Sequence, residues 1–187
     1  RGHRSSWPAG TPYLSPEHEG IAAATAGLER WAHDGEAFKL YEAGYHAGDV
    51  ILEVGLGSGR AATLALRGAL AHPGRTLAPQ YFSVVTDAER MTRLRQVLAA
   101  QDLDEHVHLF QGDLAAFIAR WDIAPTLVVL DGRTAPEKLA ADLTRLTDWL
   151  RDGTPVLVLN FSPRDETGTS PQLRKVLMEW EGADQAR

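Results

Sequence analysis

Short apolar segments alternate with longer segments of helical periodicity from Asp49 onward, and this alternation constrains the fold more than any other feature of the chain. Segments such as TLVVL and PVLVL are apolar at almost every position, which is typical of parallel strands covered on both faces. The pattern therefore predicts an α/β three-layer sandwich with a mainly parallel central sheet. Five strands are expected, at residues 50–54, 81–86, 106–110, 126–130 and 155–159.

Two of the helices between these strands have a recognisable start signal. Thr86 and Glu89 are spaced as a capping box, in which the two side chains satisfy free backbone N–H groups at the start of a helix. Thr134 and Glu137 have the same spacing ahead of a periodic apolar segment. We therefore expect one helix to begin at each of these pairs.

The composition excludes several functional classes. The 187 residues have a formal net charge of −6 and only scattered Lys and Arg, which argues against general nucleic-acid binding. There is no cysteine, so disulfides, thiolate nucleophiles and Cys-ligated zinc are excluded. No apolar segment approaches the roughly 18 residues that indicate a membrane span, and the first ten residues lack the apolar core of a signal peptide. We expect a cytoplasmic protein.

The stretch DVILEVGLGSGR places three alternate glycines between the first strand and a helix. Such a turn exposes backbone N–H groups at the carboxyl edge of a parallel sheet, where α/β folds bind ligands. Three interpretations are open at this point. The glycines can simply make a tight turn. Gly57, Gly59 and Ala62 also fit the G-x-G-x-x-A variant of the NAD(P)-binding pattern, whereas a third interpretation uses Gly55, Gly57 and Gly59 together with Glu53.

In this third interpretation, LEVGLGSGR resembles motif I of the class I S-adenosylmethionine-dependent methyltransferases, and the resemblance extends over roughly residues 41–159. It implies a Rossmann-like fold and S-adenosylmethionine as the cofactor. It also implies that Gly55, Gly57 and Gly59 lie against the methionine and ribose of the cofactor. Glu53 would lie close to the positively charged end, where a carboxylate is electrostatically favourable.

The same resemblance implies roles for acids after the later strands. Asp87 would accept hydrogen bonds from the ribose hydroxyls, and Asp113 would bind the adenine amino group beside the backbone N–H of Leu114. Both acids also stand where helices begin, so they can serve as helix caps instead. Asp131, at the end of the fourth strand, would lie beside the reacting methyl group. Asp131 and His18 are the candidate catalytic residues, with His46 a further candidate base.

A metal site is not predicted. The segment VVLDG most resembles the catechol-type and sugar O-methyltransferases, whose acid at the position of Asp131 binds a divalent metal. Such a metal needs several oxygen ligands, and those branches place another acid after the fifth strand. Here only Asn160 stands at that place.

The resemblance also implies the domain organisation. We expect residues 1–48 to form an N-terminal helical segment or lid of the same domain, and residues 49–187 to form the Rossmann-like cofactor-binding domain. The family's sheet ordinarily ends in two further strands, and only EGADQAR follows Trp180. Either the sheet is reduced or the native chain continues.

The expected function is methyl transfer from S-adenosylmethionine to a small-molecule acceptor, with a hydroxyl as the acceptor group and a homodimer as a possible assembly. Two alternatives stay open. One is a methyltransferase-like domain that binds adenosine compounds or a partner without catalysis. The other is an NAD(P)-dependent oxidoreductase, although Tyr41 and Tyr45 are not followed by the lysine of a Tyr-x-x-x-Lys pair.

Overall fold

The computed structural model describes residues 34–160 and 175–176, and its centre is a five-stranded sheet. All pairings in this sheet are parallel, and the strand order is β3-β2-β1-β4-β5. The strands are β1 (Val50–Val54), β2 (Gln80–Val85), β3 (Val107–Gln111), β4 (Leu127–Asp131) and β5 (Val156–Leu159). The mainly parallel sheet is thus confirmed, and each predicted strand end lies within one residue of the observed one.

The strand order creates a crevice at one edge of the sheet. The chain proceeds outward from β1 through β2 to β3, and then returns to place β4 and β5 on the other side of β1. The connections after β1 and β4 therefore leave in opposite directions. A ligand site is expected at such a switch point, outside the carboxyl ends of the strands.

Helices cover both faces of the sheet. They are α1 (Asp34–His46), α2 (Gly59–Ala71), α3 (Ala88–Ala99), α4 (Leu114–Arg120) and α5 (Pro136–Trp149), with a 3₁₀ turn at Asp104–His106. One apolar cluster joins α1, α2 and α3 to one face, and a second joins α4 and α5 to the other. Successive side chains of β1 illustrate the division, because Ile51 lies in the first cluster and Leu52 in the second. The Rossmann-like three-layer sandwich is confirmed.

The contact between α1 and α2 depends on two glycines. A Cβ atom at Gly68 would lie 2.1 Å from the carbonyl oxygen of Tyr41, and one at Gly44 would lie 2.1 Å from that of Ala65. These distances are far below van der Waals contact, so only glycine permits the two helix backbones to approach this closely. Residues 1–33 lie outside the described part, and the predicted lid role of residues 1–48 stays a prediction.

The two predicted capping boxes are wrong. Helix α3 begins one residue later than predicted, and Asp87 rather than Thr86 is its cap, accepting hydrogen bonds from the N–H groups of Glu89 and Arg90. Helix α5 begins at Pro136 without a side-chain cap. Proline at the first helical position presets the backbone dihedral and has no N–H to satisfy. No helix in the described residues is long and apolar enough to cross a membrane.

Candidate active site

A cavity of about 410 Å³ lies at the carboxyl edge of the sheet, at the switch point between β1 and β4. Its walls come from the ends of β1, β2 and β4, the turn after β3 and the first half of α5. Three acids and three basic side chains line it. The lining residues that carry the argument below are Gly55, Thr86, Asp113, Asp131, Arg133 and Thr134.

The three glycines of the turn after β1 have different roles. Gly55 and Gly57 have φ angles of +87° and +54°, in the left-handed region that favours glycine. A Cβ atom on Gly55 would project into the cavity between Asp131 and Thr134, at the ordinary contact distance of 3.7 Å from each. Gly59 instead makes room for α3, because a Cβ atom there would lie 2.1 Å from a Val97 methyl group.

Glu53 holds this turn from within the core. Its Oε1 accepts hydrogen bonds from the N–H of Gly57 at 2.6 Å and the hydroxyl of Ser83 at 3.2 Å. Its Oε2 accepts from the hydroxyl of Tyr81 at 2.6 Å. The side chain is fully buried and lies outside the cavity lining. The structure shows that Glu53 holds the glycine turn through the Gly57 N–H. The position of Glu53 close to the charged end of a cofactor stays a prediction.

Burial also changes the proton affinity of this carboxyl group. The pKa of Glu53 is raised from 4.5 to about 7, chiefly by desolvation and in part by the charge of Asp131, whereas the hydrogen bonds from Tyr81, Gly57 and Ser83 lower it. Burial and the neighbouring carboxylate together hold the pKa of Tyr81 well above its usual range. Glu53 therefore changes charge close to neutral pH.

This shift predicts a specific pH dependence of stability. Because this pKa is raised on folding, the protonated Glu53 carboxyl group contributes to the free energy of unfolding. The contribution is fully present below pH 4.5 and is lost as the pH rises through about 7. The loss amounts to about 3 kcal/mol, since a tenfold change in proton affinity corresponds to about 1.4 kcal/mol. Glu53→Gln does not titrate, so we expect the variant to gain stability relative to the wild type between pH 4.5 and 7, with no further gain above. Urea unfolding of both proteins across this range measures the difference, and parallel curves would contradict the shift.

Asp131 lies at the end of β4 and is almost completely buried. Arg133 donates to both of its carboxylate oxygens, through Nε at 3.1 Å and through Nη2 at 2.9 Å to Oδ2. The Nδ2 of Asn160 donates to Oδ1 at 2.9 Å. Asn160 itself has φ of +60°, and its Oδ1 is buried without a hydrogen-bond partner among the described residues. The strand end thus carries an oriented, charge-paired carboxylate beside an unpaired acceptor atom.

The other predicted cofactor residues divide into two groups. Asp113 lines the cavity, and its Oδ1 also caps α4 by accepting from the N–H of Ala116 at 2.8 Å. The Leu114 side chain lies in the core, so only its backbone can face a ligand. Asp87 is exposed and does not line the cavity, whereas the preceding Thr86 does.

Helix capping engages both of the acids that were predicted to bind the ribose and adenine of the cofactor. Hydrogen bonds from the Arg90 and Glu89 amides lower the pKa of Asp87, so this carboxylate is firmly ionised as a cap. Both Asp87 and Asp113 use Oδ1 for capping. Their roles toward ribose and adenine stay predictions. His18 lies outside the described residues, and His46 ends α1 without lining the cavity.

Sequence reasoning missed two residues of the site. Arg133 pairs with Asp131, and Thr134 faces Gly55 across the cavity. The signal was present in the segment LDGRT, since a polar residue directly after a buried strand lies at the carboxyl edge. Thr134 had been interpreted only as a helix cap. Among the described residues, no group of three or more His, Asp and Glu side chains can hold a metal ion.

Comparison with known families identifies the family of the chain. A family model described as a methyltransferase domain matches residues 52–160, from β1 through Asn160. The chain belongs to this methyltransferase family. The match confirms the predicted class, an S-adenosylmethionine-dependent methyltransferase and hence an enzyme, over the NAD(P) interpretation of the same glycines. No curated protein sequence matches this methyltransferase.

Solved structures share the fold of this methyltransferase at low sequence identity. Cofactor-bound Rv0187 from MTB has a TM-score of 0.65 and 18% identity, with 88% of this chain and 77% of that chain covered. An O-methyltransferase from Bacillus cereus in complex with SAH has a TM-score of 0.63 and 16% identity, covering 95% and 80%. The O-methyltransferase TomG from Streptomyces achromogenes, in complex with SAM, has a TM-score of 0.60 and 15% identity, covering 90% and 78%.

Proposed function

We propose that this methyltransferase binds S-adenosylmethionine in the cavity at the ends of β1 and β4 and methylates a hydroxyl group of a small molecule. The observation that carries the proposal is the open face of Gly55. The backbone there is exposed to the cavity, and any side chain would occupy the space between Asp131 and Thr134. Glycine at this position is favoured by the φ of +87°, and it also leaves the backbone open to close approach by a ligand.

The residues around the cavity fit the proposed cofactor. Its volume of about 410 Å³ lies within the usual range of roughly 300–1,000 Å³ for small-molecule sites. The Gly55 turn would hold the methionine part, and Asp113 with the Leu114 N–H would hold the adenine. Bound S-adenosylmethionine would supply an electrophilic methyl group on a positively charged sulfur, and S-adenosylhomocysteine would leave as the S–CH3 bond is replaced by the bond to the acceptor oxygen. Correct positioning can account for much of the rate of such a displacement.

Asp131 is proposed to receive the hydroxyl proton of the acceptor. In the observed arrangement Arg133 occupies both carboxylate oxygens, so proton transfer requires Arg133 to release at least one of them. The Arg133 side chain is 46% exposed and has room to move.

A small molecule is favoured over a nucleic acid as the acceptor. The chain has a formal net charge of −6, which opposes general binding to nucleic-acid backbones but does not prevent a local cluster of arginines from binding a single phosphate group. Three of the structural neighbours are named as O-methyltransferases, one of them provisionally, although another is named as an RNA methyltransferase. The RNA alternative therefore belongs in the test.

The test is methyl transfer from labelled S-adenosylmethionine to hydroxylated small molecules, amines and total RNA. We expect label on hydroxylated compounds only. Asp131→Asn should lower kcat by about 100-fold, the lower range for loss of a general base. Asp142→Asn is the matched control, because Asp142 is a buried acid that lines the same cavity from α5. Label on RNA or amines alone, or equal losses in the two variants, would contradict the proposal.

A further inference from the structure

A second cavity, of about 430 Å³, lies on the other side of the glycine turn, between the start of α2 and helix α3. Its lining contains no acidic residue. Four arginines line it, and two of them also line the first cavity. They are Arg60, Arg90, Arg93 and Arg133, of which Arg90 and Arg133 are shared. Apart from Arg133 and the glycines of the turn, no residue assigned above to the cofactor or the acceptor lines this cavity.

Arg60 stands in an unfavourable electrostatic position. It is the second residue of α2, where the helix dipole repels positive charge, and the first turn contains no acid. Its exposed fraction is only 7%, and its Nε is buried without a hydrogen-bond partner. No hydrogen bond or ion pair to Arg60 is found among the described residues. A buried and unpaired cation costs free energy unless an anion compensates it.

The neighbouring side chains do not supply that anion. Arg133 is paired with Asp131, and Arg90 and Arg93 add positive charge from the exposed face of α3. The nearby acid Asp87 is engaged in capping α3 and lies outside the cavity lining. The N–H groups at the start of α2 are themselves suited to an anion. The charged side chains that line this cavity and the helix N–H groups therefore favour a negatively charged ligand.

We propose that the second cavity binds the phosphate group of a ligand, through Arg60, Arg90, Arg93 and the first N–H groups of α2. A phosphate is favoured over the α-carboxylate of S-adenosylmethionine because that cofactor carries an overall charge of +1, whereas three guanidinium groups match a multiply charged anion. The shared wall at Arg90 and Arg133 allows one phosphorylated molecule to reach both cavities. Phosphate binding here does not rest on the proposed acceptor chemistry.

Titration with inorganic pyrophosphate and phosphate, against KCl at equal ionic strength, tests the site. We expect saturable binding and a raised Tm for the wild type. Arg60→Met should weaken pyrophosphate binding at least tenfold. Arg95→Met should change it by less than twofold, because Arg95 is an exposed arginine of α3 outside this cavity. In the absence of anion, Arg60→Met should melt at or above the wild-type Tm, because the variant no longer buries an unpaired charge. If Arg60 had a purely structural role, its removal would lower the Tm.

The second part of the experiment measures S-adenosylhomocysteine binding in the presence of pyrophosphate. S-adenosylhomocysteine should bind together with pyrophosphate, and its affinity should be unchanged within twofold in Arg60→Met. If pyrophosphate displaces S-adenosylhomocysteine and Arg60→Met loses both, the cavity holds the cofactor carboxylate and the proposal is wrong. Binding no stronger than that of KCl, or unaltered in Arg60→Met, would also overturn it. These readouts need no methyl transfer, so they are independent of the proposed acceptor.

Discussion

Gly68→Ala is expected to lower the free energy of unfolding by about 2 kcal/mol. The new methyl group would lie 2.1 Å from the carbonyl oxygen of Tyr41 and 3.0 Å from the N–H nitrogen of Tyr45, so α1 must move away from α2. Overpacking of this kind typically costs about 1–3 kcal/mol, and the clash is with backbone rather than with a flexible side chain. We expect a cost at the upper end of this range, about 3 kcal/mol. The higher helix propensity of alanine, about 1 kcal/mol, offsets only part of this cost.

Thermal and urea unfolding would measure this loss, which corresponds to a fall in Tm of roughly 4–8 °C for a chain of this size. Gly74→Ala is the control, because a Cβ atom there approaches only the half-exposed side chain of His72, at 3.2 Å, and no backbone atom. We expect the control to change stability by less than about 0.5 kcal/mol. If Gly68→Ala were as stable as the wild type, the close backbone contact between α1 and α2 would be wrong.

Glu53→Ala is expected to cost about 3 kcal/mol or more and to weaken S-adenosylhomocysteine binding at least tenfold. The substitution leaves the Gly57 N–H and the hydroxyls of Tyr81 and Ser83 buried without their acceptor. Each unsatisfied buried donor costs about 1–3 kcal/mol. Affinity falls because the turn that carries Gly55 loses its anchor in the core.

Glu53→Gln is the matched control for this prediction. Its amide oxygen can still accept from Gly57 and Ser83, and its amide nitrogen can donate to the Tyr81 oxygen. We therefore expect it to bind S-adenosylhomocysteine within a fewfold of the wild type in calorimetry. An alanine variant that folds with unchanged stability and unchanged affinity would show that the turn does not depend on Glu53.

Strand positions were predictable because the evidence for them is local. An unbroken apolar segment marks a strand covered on both faces, and the five segments gave each end to within one residue. The carboxyl edge of the sheet followed from the strands, so Gly55, Asp113 and Asp131 could be placed at one edge before any contact was known. All three line the same cavity.

The remaining features depend on contacts between distant residues. Glu53 is opposite Ser83 in the β1–β2 register, and a hydrogen-bond network of this kind becomes visible only once the register is known. The helix starts were missed by one or two residues, since Thr86, Asp87 and Pro136 all offer acceptable beginnings. The arginine cluster could not be predicted from the sequence, because Arg60 is on α2 whereas Arg90 and Arg93 are on α3. Only the packing of the two helices brings these side chains to one cavity.

The cavity beside Gly55 is the proposed cofactor site. Calorimetric titration with S-adenosylhomocysteine and with NADP, on the wild type and on Gly55→Val, tests it most directly. We predict that S-adenosylhomocysteine binds the wild type and NADP does not. We also predict that valine weakens binding at least 100-fold, because its side chain projects between Asp131 and Thr134 and the φ of +87° does not suit a β-branched residue. Binding of NADP alone, or equal S-adenosylhomocysteine affinity in a folded Gly55→Val protein, would contradict the account.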